Sequence, residues 1–250
     1  MSAFAMVNDV KDNGSKALID SENSLGLNYA VTEKMKVGVS HNFGLRSISD
    51  RSQLADFESD NGVESPYKTL DPTLHLNYKM GTLLGSNEYS LLSRYYVPVS
   101  QKSQINKSAG TLRSQVWITW PVNTRIDVSL MGQARLYMNT AQNKDSSRGS
   151  DSVLRTILGP NFAYNFNDSV NAYYSPYLDP RSVGFQRAQY NADTANNFNH
   201  ELGVWITLAG GKYIVNPAWA TSSSKLGLDS YDGTGSDSNS EYDLNLIAYF

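Results

Sequence analysis

Charged residues set opposite apolar ones in alternating stretches are the groups of this chain best placed to do chemistry. Arg94, Arg113, Arg135 and Arg155, together with Arg46, stand on the polar parity of their stretches, as do Asp20, Glu22, Glu201, Glu241 and Asp243. A guanidinium keeps its charge and offers forked donors to carboxylate or phosphate groups. Such a set either pairs across a filled interior or lines a wet one and selects ions; it does not make or break bonds. The hydrolytic alternatives fail on spacing. His41 is followed by Asn42-Phe43 and His200 by Glu201-Leu202, so neither begins a His-x-Ser pair. His200-Glu201 has no second histidine four residues on to complete a zinc motif. No Gly-Lys-Ser/Thr sequence is present to cradle a phosphate, and loop 229–237 lacks the spacing and closing glutamate of a calcium loop. No catalytic residue, metal or cofactor is expected.

Composition narrows the class further. Lys and Arg total 21 against 24 Asp and Glu, a formal charge of −3, so no basic excess points to nucleic acid. Cysteine is absent, which excludes a disulfide framework, a zinc–thiolate site and a catalytic thiol. Mean hydropathy is −0.42. The longest apolar runs, Ala3–Val7 and Leu246–Phe250, are far shorter than the roughly 18 residues of a membrane helix. A transmembrane barrel is untouched by that argument, because it hides its apolar surface in every second residue.

The elements that must position the charges read as strands. In the last stretch Tyr242, Leu244, Leu246, Ala248 and Phe250 form one face, against Glu241, Asp243, Asn245, Ile247 and Tyr249. The same period-two split recurs over 125–139 and 70–80. About twelve strands follow, near 2–9, 19–31, 35–48, 70–80, 88–101, 110–121, 125–138, 153–166, 169–181, 196–209, 212–223 and 240–250. Short turns follow the even strands, at 32–35, 81–87, 121–125, 167–169 and 209–212. Longer polar loops follow the odd ones, near 10–18, 49–69, 102–109, 139–152, 182–195 and 224–239. Proline at 98, 160, 176 and 217 predicts broken pairing or bulges. The alternation of short and long connections, with an even strand count, is the layout of an outer-membrane barrel. It runs from end to end, so one domain over 1–250 is expected.

The ending Tyr242-x-Leu244-x-Leu246-x-Ala248-x-Phe250 resembles the C-terminal signal of Gram-negative outer-membrane β-barrels, which their assembly machinery reads. The resemblance implies an all-β, transmembrane, antiparallel up-and-down barrel with short periplasmic turns and long extracellular loops. It implies a place in the bacterial outer membrane, with lipopolysaccharide and bilayer lipid outside and small hydrophilic solutes inside. Met1-Ser-Ala-Phe has no basic n-region, so the sequence reads as a mature chain.

Lipid leaves charge unsatisfied, so the apolar parity must face outward and the polar parity inward. Leu25, Leu27, Val39, Leu74, Leu158 and Val204 belong to the outward set, and so do His41 and His200; His75 falls inward. Tyr29, Tyr78, Tyr89, Trp120, Tyr164, Phe166, Tyr213 and Phe250 mark a periplasmic aromatic girdle. The arginines of the fifth to eighth strands face the acidic residues across the ring. The leading expectation is a porin-like channel with a weak preference for anions. A closed adhesin-type barrel presenting its loops is the alternative, and an outer-membrane hydrolase a weaker one. Gln53–Glu58 is expected to fold inward as a helical turn that narrows the pore.

Overall fold

The computed structural model describes residues 2–8, 20–46, 67–100, 103–104, 108–139, 153–180, 183–184, 196–223 and 240–250. The strands are β1 (Ser2–Asn8), β2 (Asp20–Ala30), β3 (Met35–Arg46), β4 (Tyr67–Thr69), β5 (Thr73–Gly81), β6 (Glu88–Tyr96) and β7 (Ser108–Pro121). They continue with β8 (Ile126–Asn139), β9 (Val153–Asn167), β10 (Val170–Pro180), β11 (Val183–Gly184), β12 (Asn196–Leu208), β13 (Tyr213–Ser223) and β14 (Ser240–Tyr249). Twelve of them pair antiparallel in chain order. β9 pairs with β10, and β14 returns to pair with β1, so the row of partners closes on itself. β4 and β11 are short additions, on β3 and β9 respectively.

Local chemistry sets the hairpins. Thr32 Oγ1 accepts the N–H groups of Lys34 (3.2 Å) and Met35 (3.0 Å). Asn123 Oδ1 does the same for Arg125 (2.8 Å) and Ile126 (2.9 Å), and Asn167 Oδ1 for Ser169 (2.8 Å) and Val170 (2.9 Å). In each turn a short polar side chain replaces a backbone acceptor. The β12–β13 turn instead uses Gly210 and Gly211 at φ 66° and 93°, a region that favours glycine. Tight turns fix register, and register decides which side chains share a face.

Burial is inverted relative to a water-soluble sheet. Leu25 and Leu158 are each 54% exposed, while Asn216 on the opposite parity is 1% exposed and Ser40, Thr73, Ser129 and Gln133 are buried. Among the described residues the only buried apolar ones are Tyr173 and Ala218. An apolar exterior around a polar interior suits lipid outside and water or polar contacts inside.

Two details differ from expectation. The expected strand 88–101 stops at Tyr96, ahead of Pro98, and the next begins earlier than expected, at Ser108. Arg125 sits in the turn and donates to Tyr164 Oη (3.3 Å) instead of opening β8. Prolines 160, 176 and 217 break pairing, as expected, and make no bulge; beside Pro217 the β12–β13 ladder lapses between Gly203↔Ala218 and Ile206↔Val215. The β9–β10 ladder lapses after Tyr174↔Phe162 and resumes at Leu178↔Leu158 in the same register, because proline removes a donor without lengthening the chain. Bulges occur instead at Lys79/Gly81, Ser108/Gly110 and Val170/Asn171. The expected helical turn Gln53–Glu58 and the loop 229–237 lie outside the described residues, as do the tips of most long loops.

Candidate functional site

Four arginines stand in one unbroken row. Arg94 is directly opposite Arg113, Arg113 opposite Arg135, and Arg135 opposite Arg155, with His75 opposite Arg94 at the near end. Directly opposed residues lie on the same face of a sheet, so all five positions point the same way. That face carries the buried Gln133 and Ser129, and is therefore the inner one. Arg113 Nε donates to Gln133 Oε1 (2.5 Å). Arg135 donates to Tyr137 Oη (3.1 Å), with its guanidinium carbon 5.9 Å from the Tyr137 ring centroid. The Arg135 Nε is buried and has no hydrogen-bond partner among the described residues. His75 Nε2 meets Asn28 Oδ1 (2.5 Å) across Gly38, where an added Cβ would strike both side chains. For Arg155 the backbone position alone is described.

The acidic positions are arranged otherwise. Glu201 lies opposite Ser175 and Ala220, and Ala220 separates it from Glu241. Asp243 lies opposite Ala218. Tyr173 Oη donates to Glu201 Oε1 (2.5 Å), and the ring covers Gly203, where a Cβ would come within 2.5 Å of that hydroxyl. Asn216 Nδ2 donates to the Val204 carbonyl (3.0 Å) and Asn245 Nδ2 donates to Asn216 Oδ1 (3.2 Å). Glu22 lies opposite Gly44, and Asp20 opposite Arg46. Arg46 thus faces a carboxylate position and stands apart from the arginine row. The backbones of Asp20, Arg46 and Glu241 are described, their side chains are not.

Around the ring, the arginines occupy β6–β9, and the acidic residues occupy β12, β14 and β2. The two sets are separated by β10 on one side and by β3 and β5 on the other. His41 and His200 belong to the outer face, as their parity requires. His41 stacks on Phe43 (5.9 Å) and His200 on Tyr174 (6.0 Å), with Nδ1 2.7 Å from the tyrosine hydroxyl.

β14 holds Tyr242, Leu244 and Leu246 opposite Trp219, Pro217 and Val215, and pairs on its other edge with β1. Phe250 follows it and is 78% exposed. The expected C-terminal signal is thus also the strand that closes the row.

A scan against protein-family models and a search of curated proteins by sequence both find no match. Solved structures do match. The chain aligns over 100% of its length, and 94% of the other, with an outer membrane channel from Pseudomonas putida F1, at TM-score 0.59 and 13% identity. It is also similar to the NanC porin, with 99% of each chain covered at TM-score 0.54 and 9% identity. The KdgM porin aligns at TM-score 0.52 and 7% identity, over 100% of this chain and 99% of that one. The fold is that of an outer-membrane porin barrel. These neighbours are channels rather than enzymes.

In this barrel fold a groove of about 650 Å³, lined by Leu27, Tyr29, Val39, Leu74 and Leu76, is on the apolar outer face. The chemistry lies on the other face of the same strands. Sequence reading had found the charged residues of that face but missed Tyr173, Asn216 and Trp205. All three lie on the inner face; nothing in a single sequence tells which of them meet.

Proposed function

We propose that this chain is a passive channel of the bacterial outer membrane, admitting small hydrophilic solutes and preferring anions, multivalent ones above all. The observation that carries the proposal is the arginine row in direct register on the inner face. Like charges directly opposite one another destabilise a sheet, so a purely structural wall gains nothing from four in succession. A water-filled interior lowers that cost and leaves the guanidinium groups available to solutes.

Tilt turns the row into a ramp. Neighbouring strands lie about 4.8 Å apart and tilt by about 40°, so opposed positions climb about 3 Å of depth per strand. Between Arg94 and Arg155 the ramp covers roughly 9 Å of depth. An anion with two or more acidic groups touches successive arginines, and its second contact forms at high effective concentration. Anion binding also fits a neighbour: the KdgM porin has been solved in complex with disordered oligogalacturonate. In this reading the long loops face outward, the short turns face the periplasm, and the C-terminal strand engages the assembly machinery.

Purified barrels reconstituted in a planar bilayer should give stable single-channel steps in KCl. A closed, adhesin-type barrel is the second reading, favoured by the packed network of Tyr173, Glu201, Asn216 and Asn245 inside. It gives no stable steps, and that result would overturn the channel.

A further inference from the structure

At the short-turn end of the barrel, a cleft of about 480 Å³ opens between the β9–β10 turn, the start of β8 and the end of β12. Its lining is unlike that of the arginine ramp. Asn165, Asn167, Asn171, Thr124 and Thr207 supply amide and hydroxyl groups, and Trp205 supplies an aromatic face. Trp205 is 36% exposed, although it lies on the inner parity beside Asn171 and one residue pair below Tyr173. Tyr173 backs it, with ring centroids 6.1 Å apart and planes 30° from parallel. The indole therefore has one face supported and presents its remaining surface to the cleft.

The polar groups are pre-set. Asn171 Nδ2 donates to Asn165 Oδ1 (2.5 Å), and Asn165 Nδ2 donates to Asp127 Oδ2 (2.8 Å). This chain fixes both amide orientations and leaves each amide with further donor or acceptor capacity. Charge does not dominate the cleft. Its guanidinium, Arg125, turns to the Tyr164 hydroxyl, and the Asp168 carboxylate offsets that charge.

We infer that this cleft is a second solute site, which takes the uncharged ring of a saccharide on Trp205. A pyranose has an apolar face of C–H groups and an edge of hydroxyls that donate and accept at once. The face matches the indole, and the hydroxyl edge matches side-chain amides and threonine hydroxyls. The volume lies in the range of small-molecule sites. The inference rests on the channel reading for how a sugar arrives, and it adds a recognition step at the exit that does not depend on charge.

Fluorescence tests this without requiring current to flow. The protein has four tryptophans; with Trp117, Trp120 and Trp219 changed to Phe, the emission of Trp205 is read alone in the folded barrel. Cellobiose, an uncharged disaccharide, should give a saturable change. Asn171→Ala should weaken it about fivefold, the equivalent of one neutral hydrogen bond, and changing the four ramp arginines to Gln should leave it intact. A response that rises linearly, or matches that of glycerol at equal concentration, would overturn the site. So would saturation that survives Asn171→Ala but is lost with the arginines. Conductance measured on the same preparation reports the channel reading separately.

Discussion

On β6–β9 four arginine positions oppose one another without a break, whereas on β12–β14 each acidic position lies opposite a small neutral residue. Ala220 stands between Glu201 and Glu241, and Ala218 stands beside Asp243. The Glu201 carboxylate is held by Tyr173 at 2.5 Å, while a buried Nε of Arg135 has no hydrogen-bond partner among the described residues. One wall sets its charges opposite neutral residues; the other sets like charges opposite one another, although Arg113 and Arg135 are also held, by Gln133 and Tyr137. The difference shows where stability and the proposed function part: the acidic wall resembles a protein interior, and the like-charge cost of the arginine wall is what the proposed channel role accounts for.

The largest expected effect checks that both walls lie on the wet side of the sheet. Leu158→Arg puts on the outer face the same charge that the adjacent parity tolerates, and should cost about 2–4 kcal/mol of folding stability in lipid vesicles. An unchanged urea midpoint would mean that this face does not meet lipid, and the contrast between inner and outer parity would fall.

A smaller loss is expected from the acidic wall. Tyr173→Phe leaves the Glu201 carboxylate without its donor, and should lower unfolding stability by about 1–3 kcal/mol. A neutral result would place Glu201 in open water and make the two walls alike. The smallest effect has the opposite sign. Arg113→Gln removes two like-charge contacts and should raise stability by about 0.2–1 kcal/mol at low salt. If that substitution destabilises instead, the Arg113–Gln133 hydrogen bond is the purpose of the side chain, and the row is structural.

Much of this was legible in the sequence. Strict period-two alternation and the Thr32, Asn123 and Asn167 turns placed the strands within a few residues, since side chains that alternate between lipid and interior leave no freedom in parity. The exceptions have local causes, as at Tyr96, where Pro98 ends the strand. Register was not legible. That Arg94, Arg113, Arg135 and Arg155 stand in direct register, and that Arg46 lies opposite Asp20 instead, depends on how far each strand slides past its neighbour. The Tyr173 network was hidden for a related reason: its partners come from β12, β13 and β14, and the β10–β12 register is what sets the tyrosine opposite Gly203.

The central claim is that the arginine ramp, and not the net charge of −3, sets what the channel admits. Screening over about 8 Å at physiological salt makes the nearest charges decisive. In a KCl gradient across a planar bilayer, the unmodified barrel should show a reversal potential displaced weakly toward chloride. Changing Arg94, Arg113, Arg135 and Arg155 together to Gln should move it toward potassium while the barrel still folds and conducts. A reversal potential that stays in place would contradict the account, and would mean that these arginines lie away from the path of the ions.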